Sequence, residues 1–217
     1  MRIGISLIAP ARRRSWWIID YGLGNISAIS NIYNKLKIKN LIIKSKKDFE
    51  ISEKLILPGV GAFDSAMNLL HKSDLILEIE NQIFNQNKKL LGICVGMQIF
   101  ANKSEEGTSS GLNFFDAVVK KIYNSEQKIL RLPHMGWNSI NFVKDDLLFN
   151  NIDNNEYFYF CHSYYFDCQN KDNILAKTNY GQFFSSVVKN KNIYGIQFHP
   201  EKSHDGGVKI LDNFAKL

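Results

Sequence analysis

The chain has 217 residues, 45% of them hydrophobic and 22% charged, which suits one soluble globular domain with a continuous core. Of its net charge of +6, Arg2, Arg12, Arg13 and Arg14 supply four and leave +2 for the remainder, so no basic stripe for nucleic acid is expected from the fold. No apolar run is long enough for a membrane span, and three cysteines without metal-ligand spacing argue against a disulfide scaffold or a metal centre and fit a reducing cytoplasm.

The chain opens with "MRIGISLIAPARRRSWW", in which three arginines follow a short apolar run. That order is wrong for a secretory signal, so residues 1–15 are expected to be a basic extension or the product of a misplaced start codon. Residues 16–217 are expected to form a single domain.

"WWIID" (16–20) predicts a first strand, and Ile26, Ile29, Tyr33 and Leu36 trace one face of a helix. "LIIK" (41–44) and "KLILPG" (54–59) predict strands, the second stopped by Pro58-Gly59. Helices are expected through Met67 and Leu70, then through Ile76, Ile79 and Ile83. "KLLGIC" (89–94) predicts a buried strand that ends in a cysteine where a helix begins. The second half is richer in strands: "YFYFCHSYYF" (157–166), "NILAKTN" (173–179), "FFSSVVK" (183–189) and "NIYGIQF" (192–198), before a last helix with Val208, Leu211 and Phe214. This alternation predicts an α/β fold with a central, mostly parallel sheet, flanking helices and additional strands in the second half.

"GICVG" sets Cys94 in a G-x-C-x-G frame, the thiol form of a nucleophile elbow on a strand–turn–helix. Gly92 and Gly96 let strand and helix approach, and a helix N-terminus behind the sulfur favours thiolate. Most free cysteines are merely small buried hydrophobes. Gln98, about one helical turn on, is placed to face the same pocket as the sulfur.

"GIQFHPEKS" (195–203) offers a base and its orienter. If His199 and Glu201 lie on an extended strand, both point to one face, and the carboxylate holds one imidazole nitrogen while the other meets the thiol. Taken singly, His199 reads as a satisfied core histidine and Glu201 as a surface charge; beside the elbow, the catalytic reading wins. His162 neighbours Cys161 but points to the opposite face of a strand, and Cys161 is expected in the core. His71 and His204 are expected to be exposed and without a role. The loop "LILPGVGAF" (55–63) lacks the Lys and Ser/Thr of a phosphate cradle. Its N–H groups at Gly59, Val60 and Gly61 suit an oxyanion hole or simply a tight turn.

"PGVG", "GICVGMQ" and "HPEKS" together resemble the class I, triad-type glutamine amidotransferases. Within that class "RLPHMGWNSI", "YFYFCHSYY" and "IDYGLGNISA" are similar to the glutaminase subunits of imidazole glycerol phosphate synthases, from about Trp17 to Leu217. The resemblance implies that Cys94 attacks the glutamine side-chain amide, with His199 and Glu201 completing the triad, and that the Gly59–Gly61 loop supplies the oxyanion donors. It further implies that Gln98, Glu106, His162, Ser163 and Tyr164 hold glutamine. Asn25, Trp137, Tyr159 and Lys202 would then meet a (β/α)₈-barrel cyclase in a heterodimer, through which ammonia travels to make imidazole glycerol phosphate and an aminoimidazole carboxamide ribonucleotide. No cofactor, metal, nucleic acid or membrane is implied. Val95 stands where leucine is commoner, and Cys161 where valine is. Some relatives with valine after the nucleophile donate ammonia for nucleotide-sugar amidation in surface polysaccharide synthesis, which is the alternative acceptor. A non-catalytic binding subunit is a third reading, opposed by the intact Cys94, His199 and Glu201.

Overall fold

The computed structural model describes residues 16–49, 53–123 and 130–217; the expected basic extension, residues 1–15, lies outside them. In chain order the elements are β1 (Trp16–Ile19), α1 (Ile26–Lys35), β2 (Asn40–Ile43), β3 (Lys54–Gly59), α2 (Phe63–Lys72), α3 (Ile76–Glu80), β4 (Lys89–Cys94) and α4 (Val95–Gln98). They continue with β5 (Lys103–Ser104), β6 (Ala117–Lys121), β7 (His134–Ser139), β8 (Asn141–Phe142), β9 (Tyr157–His162) and β10 (Tyr164–Cys168). The chain closes with β11 (Ile174–Tyr180), β12 (Gln182–Asn190), β13 (Ile193–Ile196) and α5 (His204–Lys216).

Eight strands form the central sheet in the order β2-β1-β3-β4-β13-β12-β11-β8. The first five pair in parallel, and β12, β11 and β8 add antiparallel. The expected α/β architecture is therefore observed. β1, β3 and β13 are buried along their whole length, because helices cover both faces of a parallel sheet and leave no polar side. Helix α1 turns Ile29 and Tyr33 inward, and α5 does the same with Ile210, Leu211 and Phe214. β3, β4 and β13 lie side by side, in register Gly59↔Cys94 and Ile93↔Ile196. Their carboxyl ends place the Gly59 loop, Cys94 and the segment before His199 along one edge, where α/β sheets bind ligands.

Four expectations change. The run 157–166 is two strands: β9 pairs with β7, β10 pairs with β6, and the chain passes between sheets at Ser163. The helix through Ile76, Ile79 and Ile83 is a short α-segment that widens into a π-turn at Asn81–Asn85. The helix after Cys94 is a single turn, so its aligned dipoles are fewer than expected and the charge near the sulfur must come mainly from side chains. Strands β6 and β7 were not expected at all.

The elbow glycines are required by backbone contact. A Cβ on Gly96 would stand 1.9 Å from the Leu57 carbonyl oxygen, and one on Gly59 would stand 2.4 Å from the Gly96 nitrogen. Neither neighbour is a side chain that could swing away. Gly96→Ala is expected to lower unfolding free energy by about 3 kcal/mol, the upper end for overpacking. Gly61→Ala meets no atom within 4 Å and adds only the strain of its φ of +97°, about 1–2 kcal/mol. Urea unfolding of the two variants checks the contrast, and equal losses would contradict the contact argument.

Candidate active site

Cys94 ends β4 with φ 54° and ψ −114°, a left-handed backbone that a residue with a Cβ adopts only under constraint. The constraint is the jump from strand directly into the α4 turn with β3 packed against it. His199 follows β13, and its backbone N–H donates to the Tyr159 carbonyl at 2.9 Å. Its Nδ1 lies 3.0 Å from Glu201 Oε1, and the two side chains are only 5% and 2% exposed.

His199 and Glu201 do not lie on an extended strand, contrary to expectation. β13 ends at Ile196, and His199 caps a 3-10 turn over Pro200–Lys202, so the carboxylate reaches the imidazole by folding back around that turn. Ser203 Oγ stitches it in place, donating to the His199 carbonyl at 2.6 Å and accepting from Tyr159 N at 3.0 Å.

Burial by itself would push the His199 pKa down. The Cys94 sulfur, as negative neighbour and hydrogen-bond partner, and the Glu201 carboxylate outweigh burial and hold it up at about 10. The arrangement is a sulfur and an imidazole in hydrogen-bond contact, the imidazole backed by a carboxylate. Glu201 Oε2 is buried with no hydrogen-bond partner among the described residues, so the carboxylate's hydrogen bond runs through Oε1 to the imidazole.

Cys94 and His199 open onto a cavity of about 390 Å³. All five residues expected to hold glutamine, Gln98, Glu106, His162, Ser163 and Tyr164, line it. Val60 and Gly61 of the expected oxyanion loop also line it, whereas Gly59 is spent on the β3–α4 contact and does not. Glu201 sits behind His199, off the cavity wall. Glu106 has a structural duty besides: its Oε2 accepts from Phe63 N at 2.8 Å and caps α2, which lacks a side-chain cap of its own. Cys161, expected in the core, is half-buried and lines the cavity.

Sequence reasoning passed over Gln197. It is fully buried, its Nε2 points at Cys94 Sγ at 3.7 Å, and its Oε1 accepts from Gln98 Nε2 at 3.0 Å. The signal was present, since Gln197 stands two residues before His199 in the same quoted segment.

The four expected interface residues do not form one cluster in every respect. Trp137 (45% exposed) meets Tyr159 edge-on, and Lys202 Nζ lies 5.5 Å over the Tyr159 ring. Lys202 also lines the cavity, which connects that face to the site. Asn25 is exposed at the start of α1, on the loop after β1. His204, expected to lack a role, stacks on Trp137 at 4.9 Å. The ribbon of β7 and β9 turns Met135, Trp137 and Tyr157 outward with Tyr159 half-buried among them, an apolar face beside the cavity.

Among the described residues no helix is long and apolar enough to cross a membrane, and no group of His, Cys, Asp and Glu could hold a metal ion. The family described as "Glutamine amidotransferase class-I" matches residues 17–217. The chain is 44% identical to the imidazole glycerol phosphate synthase subunit HisH of Leptospira borgpetersenii, over 92% of this chain and 98% of that protein. It is equally similar to the protein of that name from Bdellovibrio bacteriovorus, and 40% identical to HisH 1 of Campylobacter jejuni strain 81-176, with the same coverage. The solved structure of PurLQS from Thermotoga maritima shares the fold, with a TM-score of 0.67 at 17% identity over 94% of this chain and 98% of that one.

Proposed function

The chain belongs to the class-I glutamine amidotransferases, and from that membership we propose that it is the glutaminase subunit of an imidazole glycerol phosphate synthase. It hydrolyses glutamine to glutamate and ammonia, and passes the ammonia to a cyclase partner in histidine biosynthesis. The observation that carries this reading is identity of 40–44% to HisH subunits over 92% of the chain. The convergence of Cys94 and His199 at one cavity, with Glu201 behind the imidazole, supports the catalytic assignments.

In the proposed mechanism the Cys94 thiolate attacks the side-chain amide carbon of glutamine. The resulting oxyanion is met by N–H groups of the Val60–Gly61 loop and the α4 turn. His199 gives its proton to the departing nitrogen, which leaves as ammonia, and a γ-glutamyl thioester remains. The neutral imidazole then takes a proton from water, whose oxygen displaces the sulfur to give glutamate. The reaction as written consumes one water and needs no cofactor.

Ammonia in neutral water is mostly protonated and no longer a nucleophile, so it must pass directly to its acceptor. The partner is proposed to be a (β/α)₈-barrel cyclase, docked on the Trp137–Tyr159 face with Asn25 and Lys202 at its rim, and the complex to work in the cytoplasm. Wherever one buried aromatic anchors such an interface, its truncation costs about 2 kcal/mol or more. Trp137→Ala is therefore expected to weaken cyclase binding about 30-fold. Mixing the purified chain with the cyclase, its nucleotide substrate and glutamine tests the whole reading. Imidazole glycerol phosphate should form only in the mixture, and glutamate release should rise when both are added. Full glutaminase activity of the chain alone, or no imidazole glycerol phosphate, would overturn it.

A further inference from the structure

Behind the cavity wall runs a line of polar side chains that the triad chemistry does not use. His134 and His162 face one another across the inward side of the β7–β9 ribbon, both buried. His162 Nδ1 lies 2.8 Å from the Tyr164 carbonyl oxygen. A carbonyl only accepts, so the His162 proton sits on Nδ1 and its Nε2 is bare. That Nε2 lies 3.0 Å from His134 Nδ1, which must therefore donate, leaving His134 Nε2 as an acceptor for the Asn138 amide at 3.2 Å. Asn138 cannot turn over: its Nδ2 also donates to the Asn179 carbonyl at 3.0 Å, and its Oδ1 accepts from Ser139 N at 2.8 Å. Acceptor-only carbonyls thus fix every proton in the line. Burial supports this, pushing His134 down to about 4 and His162 to about 3, so both rings are neutral.

On the far side the Tyr164 carbonyl accepts a second bond, from Gln98 Nε2 at 2.9 Å, and Gln98 leads through Gln197 to the Cys94 sulfur. Ser163 and Tyr164, which line the cavity, sit where the chain leaves one sheet for another. Ser163 lies between the two ladders with its carbonyl accepting from Ile122 N at 2.9 Å, and the His162–Tyr164 bond is the side-chain tie across that break.

We propose that His134 is a positioning residue for glutamine: its Nδ1–H holds His162 in one tautomer and one plane, and through the His162–Tyr164 bond it fixes the Ser163–Tyr164 wall against which glutamine binds. This rests on the glutaminase reading above. His134 also stacks on Tyr180 at 3.9 Å, so a purely packing role is the rival explanation. Two variants separate them in the complex with the cyclase. His134→Phe keeps a ring but loses the donor; His134→Asn keeps a donor at the δ position but loses the ring. The proposal expects His134→Phe to raise the KM for glutamine about tenfold with kcat nearly unchanged, the effect of leaving one buried acceptor unpaired, and His134→Asn to recover most of it. A packing role expects the opposite order. Nitrogen-15 NMR of His162 in the wild-type chain should show a protonated Nδ1 and a bare Nε2, a readout that needs no variant and no activity. The reverse tautomer, an unchanged KM in His134→Phe, or His134→Asn worse than His134→Phe would each overturn the proposal. Failure of the wild-type complex to release glutamate would instead overturn the glutaminase reading, and the tautomer measurement would still stand.

Discussion

Cys94→Ala is expected to reduce glutamate release on the order of 10⁶-fold, the scale seen when a triad nucleophile is removed, while leaving the melting temperature within a few degrees. The two halves of this expectation have different causes. Activity vanishes because no other nucleophilic group lining the cavity, Cys161, Ser163, Tyr164 or Lys202, stands on the elbow in contact with the His199–Glu201 pair. Stability survives because alanine keeps the Cβ that already occupies the left-handed φ of 54°, so no new strain enters. The substitution also has an electrostatic signature. Without the Cys94 sulfur, His199 loses the strongest of the influences that hold it up at about 10, and its titration should move toward neutral pH. Proton NMR of His199 in both proteins, beside single-turnover glutamine hydrolysis, checks this. Retention of a tenth of the activity, or an unmoved His199, would remove Cys94 from the role of nucleophile.

Glu201→Gln is expected to slow hydrolysis by about 10²- to 10⁴-fold and to bring down the alkaline edge of the pH profile. Glutamine has the same shape and can still accept from His199 Nδ1 across the observed 3.0 Å, so the ring stays oriented. What is lost is the charge beside a nearly buried imidazolium. In the wild type the folded pKa of His199 lies above the ordinary 6.5. The proton on His199 therefore favours the native arrangement fully below about 6.5, and that contribution fades as pH rises through about 10. Proton delivery to the leaving nitrogen should follow the same course, holding through about pH 9 and falling through about 10. In Glu201→Gln the fall should begin earlier. A pH profile of the rate of thioester formation measures the shift, and an alkaline edge at its wild-type position would mean that Glu201 does not stabilise the imidazolium by charge.

Much of this was legible from residues alone. The strands "WWII", "KLILPG" and "KLLGIC" announce themselves as apolar runs because they are central in a sheet covered on both faces. The helix faces of Ile29 and Tyr33, and of Leu211 and Phe214, follow from spacing, since one side must meet the core. G-x-C-x-G names the elbow because only glycine tolerates the backbone contacts at Gly92 and Gly96. Elements whose polar residues face inward were hidden. β7 carries His134 and Asn138 toward the interior and Met135 and Trp137 toward solvent, the reverse of the usual alternation, and its two apolar positions are too few to mark a strand. The break at Ser163 was hidden too, because aromatic residues continue across it while the pairing partner changes from β7 to β6.

The amino-acid sequence by itself determined which groups could do the chemistry: a cysteine on a strained turn, a histidine and a glutamate two residues apart, and a glycine loop. Only the tertiary structure decided that they meet. β13 follows the antiparallel β12 in the chain, yet inserts beside β4 in parallel register, and this places His199 against a sulfur from far earlier in the sequence. Strand order is set by long-range burial of apolar faces, which leaves no local mark on either segment. The reach of Glu201 around a 3-10 turn, and the line from Asn138 to Gln197, are likewise properties of packed elements and of no single stretch of chain.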